Sequence, residues 1–364
     1  MKNTFGQALT VTLFGESHGS EIGAVLDGLC PGLFVDDDLI RHQLTLRRPA
    51  GDGLSTPRAE TDAFRIVSGV MNGRTTGAPL CLLIQNADTH SRDYDRGMAR
   101  PGHADYTAQM KYHGFQDYRG GGHFSGRLTA PLVAVGAILL GALRRQGIFI
   151  GTHIASLAGV TDRALGDLTA DLTALAERRF PVLDDAAAER MKQEIRAAAA
   201  CCDSVGGVLE TAAVGLPAGL GEPWFDTVEG ILSHALFSIP AVKGVEFGEG
   251  FGFAALRGSS ANDGMRAADG SVEHLTNRNG GVLGGITNGA PLRFRCAVKP
   301  TPSISLPQQS IDLVTGENVD LTVRGRHDPA IVHRARVVVD SVTALVLADL
   351  LTVRYGADRL AEGL

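Results

Sequence analysis

The segment Thr129–Arg145 (TAPLVAVGAILLGALRR) restricts the fold more than any other. Apolar residues occupy every side of it as a helix, with charge only at Arg144 and Arg145. Such a helix has no solvent face and belongs deep in a core. Thr129 offers an N-terminal cap, Pro131 suits the first turn, and Arg144–Arg145 end the helix before Gly147. The run Leu128–Leu143, interrupted by Pro131 and Gly136, falls short of a membrane span. Ile331–Val353 predicts a second strongly apolar helix, on which Asp340 and Asp349 mark a wet face.

Shorter elements surround these two. Phe5–Phe14 predicts a first strand ended by Gly15, and Ser20–Leu29 a strand and turn. Phe64–Val70, Leu80–Gln85, Val205–Leu216, Gly244–Phe247, Gly252–Leu256 and Leu292–Val298 also have strand character. Leu39–Leu46 predicts a helix capped by the run Asp36–Asp38, and Asp185–Ala200 an amphipathic one with Met191, Ile195 and Ala199 on one side. No Pro- or Ser-rich linker divides the chain, so residues 1–364 form one intertwined α+β domain.

Composition narrows the function. The 46 glycines cluster between apolar segments, which suits tight turns and close backbone approach to a ligand. A net charge of −6 argues against nucleic acid, while local clusters such as Arg47–Arg48, Arg324–Arg326 and Arg334–Arg336 suit a small anion. Five scattered cysteines fit neither a disulfide framework nor a metal site and are expected to be reduced and mostly buried. The N-terminus lacks a signal core, so a cytoplasmic protein without membrane attachment is expected.

Several motifs carry chemistry. Gly15–Gly19 (GESHG) matches the spacing of an esterase elbow around Ser17, but no helix pattern follows it. Its His18 suits either acid–base work and phosphate contact or a plain turn bonded to a carbonyl. Arg100–Tyr106 (RPGHADY) places His103 and Asp105 beside a rigid turn, and Arg324–Pro329 (RGRHDP) compresses two arginines, a histidine and Asp328 around one glycine. Surface loops contain many such His–Asp pairs, and a single run like RGRHDP is more often a solvated ion cluster. In Asp117–Ala130 (DYRGGGHFSGRLTA), consecutive amides ahead of a helix, with Ser125 and Arg127, suit an anion; glycine triples also simply turn corners. Ser238–Gly250, Asn277–Gly289 and Lys299–Ser303 (KPTPS) add further turn-rich stretches, the last with a cation and hydroxyls for a phosphate-bearing cofactor.

Taken in order, GQALTVTLFGESHG, LRRP, IVSGV, RPGHADYTAQMKYHGFQDYRGGGHFSGRLTA, VGLPAGLGEPWFD, AVKGVEFGEGF, GGVLGGITNG, KPTPSI and RGRHDP closely resemble the chorismate synthase family over nearly the whole chain. The resemblance implies a sandwich of antiparallel sheets with helices packed between them, assembled as a homotetramer. It implies anti-1,4-elimination of phosphate from 5-enolpyruvylshikimate 3-phosphate, with reduced FMN required despite no net redox change. His18 would then assist the departing phosphate, His103 protonate reduced flavin, and Asp328 remove the C6 proton. Arg47, Arg100, Ser125, Arg127 and Arg326 would hold the substrate. His123, Phe124, Ser125, Pro240, Ala241, Gly284, Lys299, Pro300, Thr301, Pro302, Ser303 and Arg326 would contact flavin, and no metal is expected. An external flavin reductase is the expected partner, with NADPH as an indirect reductant.

One position departs from the family. Many members carry arginine four residues past the proline of LRRP, where this chain has Gly53. The departure keeps open a second function, a flavin- or phosphate-binding protein without turnover, against which intact His18, His103 and Asp328 argue. A serine hydrolase would rest on GESHG alone.

Overall fold

A computed structural model of the protein describes residues 2–56, 60–87, 96–268, 270–323, 325 and 327–361. Two five-stranded antiparallel sheets form its outer layers. The first has the spatial order Thr4–Phe5, Thr10–Gly15, Glu21–Asp27, Leu80–Gln85, Phe64–Ser68. The second runs Val242–Phe247, Leu292–Val298, Gly207–Val214, Phe149–Leu157, Val160–Thr161. Leu80–Gln85 and Leu292–Val298 alternate buried with more exposed residues, as strands with one face on a core must.

Three helices fill the space between the sheets. Thr129–Arg145 packs on the first sheet, Val332–Tyr355 on the second, and the two pack on each other with Asp37–Arg47 alongside. Every residue from Ala130 to Leu143 is buried, which satisfies the absence of a polar face. By length and composition Gly126–Arg145 could cross a membrane, but 94% of its apolar window lies inside the protein. The central helices meet closely at Gly136, where an added Cβ would stand 2.3 Å from that of Ser341. The architecture is the expected α+β sandwich with helices between antiparallel sheets.

Local differences from the sequence reading have physical causes. The first strand is broken, because at Gly6 (φ +108°) the chain turns so tightly that a Cβ would lie 2.0 Å from the Leu9 carbonyl oxygen. Gly252–Leu256 is no strand; its residues belong largely to a 3₁₀ turn, Gly250–Ala255, too glycine-rich to hold extended pairing. Thr129 does not cap its helix but is its first residue, and its hydroxyl donates to the Gly126 carbonyl at 2.6 Å. Asp340 and Asp349 lie on no wet face. Asp340 accepts from Thr152 Oγ1 at 2.6 Å and Arg336 Nη1 at 3.2 Å, and burial raises its pKa. Asp349 accepts the amides of Gln7, Ala8 and Leu9, pinning the chain start to the C-terminal helix. All five thiols are free, but only Cys30 and Cys296 are buried, while Cys201 and Cys202 are exposed.

Candidate active site

The N-terminal ends of both central helices open on one cavity of about 910 Å³, lined by Thr129 and Leu132 from one and Ile331 beside the other. That is the upper range for a small-molecule site. His18, His103 and Asp328, contributed by three separate loops, all line it. So do Arg100, His123, Phe124, Ser125, Pro240, Ala241, Lys299, Thr301, Pro302 and Ser303.

Three consecutive glycines build one wall. Gly120, Gly121 and Gly122 all have positive φ, at +62°, +105° and +52°. A Cβ at Gly120 would stand 2.1 Å from His18 Cε1, and one at Gly121 would stand 3.2 Å from His103 Cε1. The triple glycine therefore turns the chain and seats two histidine rings against bare backbone. The Ser17 amide donates to the Gly122 carbonyl at 3.1 Å, and the Ser17 hydroxyl lies 3.1 Å from His18 Nδ1 and donates to the Arg119 carbonyl. Ser17 has no exposed surface, which leaves the esterase elbow without an accessible nucleophile. His123 Nδ1 donates to the Gly15 carbonyl at 2.8 Å, tying this loop to the first sheet.

The opposite walls carry charge and strain. Lys299 Nζ donates to the Gly102 carbonyl at 2.5 Å and the Lys299 amide to the Ala241 carbonyl at 2.9 Å. Ala241 itself has φ +75°, a left-handed conformation costly for a residue with a side chain and found where a site demands it. The Thr301 hydroxyl is buried without a hydrogen-bond partner. Asp328 accepts the Thr56 amide at 2.8 Å and two bonds from Arg334 Nη1 at 2.9 and 3.0 Å, which orient its carboxylate. Asp105 binds Arg100 Nε and Nη2 at 2.8 and 2.7 Å and His103 Nδ1 at 3.0 Å.

Other expected residues lie elsewhere. Arg47 and Arg127 do not line the cavity; both are buried behind it and paired with Asp62. Arg47 also donates to Thr129 Oγ1 and the Gly126 carbonyl at 2.9 Å each, so it braces the loop that forms the cavity floor. Burial lowers its pKa to about 10 despite the Asp62 charge. Asp62 shows the opposite balance: burial would raise its pKa, but the two arginines hold it below the ordinary carboxylate value. Gly284 sits in the turn between Val282–Leu283 and Ile286–Thr287 and does not line the cavity, nor does Pro300. Arg326 lies outside the described residues, as do Arg324 and Arg58.

Thr56 and Lys243, not singled out from sequence, also line the cavity, as does His327 of the RGRHDP motif, while Asp62 and Arg334 orient groups around it. Lys243 was legible, since it lies within the AVKGVEFGEGF motif; Asp62 and Thr56 follow a glycine-rich loop and have no local signature.

The chain is similar to known proteins over nearly its whole length. The family model for chorismate synthase matches residues 9–352. The chain is 47% identical over 354 residues to the chorismate synthase of Dehalococcoides mccartyi, covering 96% of each chain. It is 48% identical to that of Thermococcus gammatolerans, covering 96% of this chain and 97% of the other. A crystal structure of chorismate synthase superposes with a TM-score of 0.77 at 29% identity, over 98% of this chain and 96% of that one. With the family model, the curated relatives and the solved fold all in agreement over nearly its whole length, the chain belongs to the chorismate synthase family.

Proposed function

We propose that the protein converts 5-enolpyruvylshikimate 3-phosphate to chorismate and inorganic phosphate in this cavity, with reduced FMN as cofactor. The observation that supports this most directly is the meeting of His18, His103 and Asp328, far apart in sequence, at one cavity. Its residues fit a flavin. Phe124, Pro240 and Ala241 offer apolar surface for a planar ring, Lys299 a cation, and the buried Thr301 hydroxyl a donor in need of an acceptor. When bound, reduced FMN supplies an electron-rich ring that assists cleavage of the allylic C–O bond without net redox change.

The chain's own residues then divide the work. The C6–H bond breaks and its electron pair shifts into the new diene as the C3–O bond breaks, releasing phosphate. Asp328, oriented by Thr56 and Arg334, takes the proton. His18, clamped between Ser17 and the Gly120 backbone, assists the departing phosphate. His103 holds a proton toward the flavin side, and Arg100, Ser125 and Arg326 draw the substrate's anionic groups to the cavity, while Arg47 and Arg127 act from behind it.

Three further elements belong to this proposal. The working form is a homotetramer, supported by the exposed aromatic surface of Phe115, Trp224, Phe225 and Phe251. Reduced flavin comes from an external reductase, with NADPH acting through it. Five free thiols support a cytoplasmic setting. An anaerobic assay with reduced FMN and 5-enolpyruvylshikimate 3-phosphate tests the main reaction; absence of chorismate absorbance overturns it. Robust aerobic turnover with NADPH and oxidised FMN alone would refute the external reductase, and light scattering in solution checks the tetramer.

A further inference from the structure

His103 borders open space on two sides. It lines the large cavity and also a second one of about 260 Å³, bounded by Arg96, Met98, Gln116, Asp117 and Tyr118. Gly121 beside its Cε1 and Nε2 offers no side chain against the ring. Sterics alone therefore do not hold this imidazole facing the large cavity. Its hydrogen bonds do, and they converge on Nδ1: Asp105 Oδ1 at 3.0 Å and Arg100 Nη2 at 3.1 Å.

We propose that Asp105 is a positioning residue for the reaction, holding the His103 proton on Nδ1 and leaving Nε2 as the nitrogen that gains and loses a proton toward the large cavity. This rests on the reading that His103 meets the flavin. Arg100 fastens Asp105 from the other side with its backbone amide at 2.9 Å and with Nε and Nη2, so the carboxylate cannot follow the ring if it swings. Burial alone would raise the pKa of Asp105, but its bonds to Arg100 and His103 hold it well below the ordinary carboxylate value, so it accepts as an anion. A bond from Nδ1–H to this anion is charge-assisted and survives in both protonation states of the ring. The competing arrangement, Arg100 donating to a bare Nδ1, would break each time the ring became cationic. The ring can thus cycle a proton at Nε2 without reorienting, which is the preorganisation that general acid–base work needs.

Two variants and two readouts test this. Long-range ¹H–¹⁵N NMR of ligand-free protein, at a pH where the His103 ring is neutral, is expected to show the proton on Nδ1. Asp105→Ala is expected to mix or invert the tautomers. Asp105→Asn, which keeps the volume but offers one oxygen to several donors, falls between. In the anaerobic assay with excess reduced FMN, kcat is expected to fall about 100-fold in Asp105→Ala, at the low end of general acid–base contributions, with KM within about 2-fold. A proton on Nε2 in the parent, or tautomers and kcat unchanged in both variants, overturns the proposal. His103→Ala separates the two readings: if it turns over normally, the flavin role of His103 fails, while the NMR still decides what Asp105 does.

Discussion

Gly120 and His18 are in direct contact across the cavity wall: a β-carbon on Gly120 would stand 2.1 Å from His18 Cε1 and 2.9 Å from Ser17 Oγ. The same glycine holds φ +62°, so space and backbone conformation both exclude a side chain. Gly120→Ala must push the histidine ring away, and a displacement near 1 Å costs roughly 100-fold in rate. The expected result is a kcat close to that of His18→Ala in a protein that still folds. A folded Gly120→Ala with parental kcat would show that the position of this ring is unimportant.

Gly53, where the family resemblance leads one to expect an arginine, lies three residues before Thr56, whose amide binds Asp328. Nothing stands within 4 Å of a Cβ built there, so an arginine has room. Its φ of +75° costs an L-residue roughly 1–2 kcal/mol of stability. A charge-assisted bond to the substrate returns about 1.5–3 kcal/mol in binding, so Gly53→Arg is expected to lower KM about 10-fold and Tm by a few degrees. Steady-state kinetics check this; an unchanged or higher KM would assign the role to another group such as Arg58.

Arg47 and Asp62 form a buried ion pair at 3.0 Å with Arg127 as a third member. Removing one partner leaves a buried charge uncompensated, which costs about 3–5 kcal/mol. Arg47→Ala is expected to show this as a large drop in urea midpoint before any kinetic effect is considered. A variant of parental stability with raised KM alone would mean that the guanidinium serves the ligand and not the scaffold.

His333 sets an acid limit on stability. Its burial, aided by the Arg334 charge, lowers its pKa to about 4. The unfolded chain takes up this proton near pH 6.5 and the folded protein only near the lowered value. Stability from this group is therefore present above about pH 6.5 and lost as pH falls toward 4. The loss is roughly 2 kcal/mol by pH 5 and roughly 3 kcal/mol by pH 4. Urea unfolding of the parent and His333→Leu between pH 7 and 4.5 is expected to show a steeper decline in the parent; parallel curves would remove His333 as the cause.

Much of the fold and site was legible in sequence because it rests on local rules. The all-round apolar surface of Thr129–Arg145 demanded burial, Asp36 caps the helix that follows it, and the alternation of Leu292–Val298 specified its strand. The motifs also named the histidines, Asp328 and most of the polar residues that the cavity collects. What local rules misjudged were charges whose partners lie far along the chain. Asp349 looked solvent-facing because nothing near it in sequence shows that it caps the amides of residues 7–9. Likewise nothing near Arg47 and Arg127 in sequence shows that they pair with Asp62, which follows a glycine-rich loop without a helix or strand pattern to place it. Sequence by itself determined which residues are apolar, capped, turned or chemically able, since these depend on neighbours within a few positions. Only the tertiary structure decided that the triple glycine is a seat for two histidines, and which buried charge meets which, because those depend on how two sheets close over the helices between them.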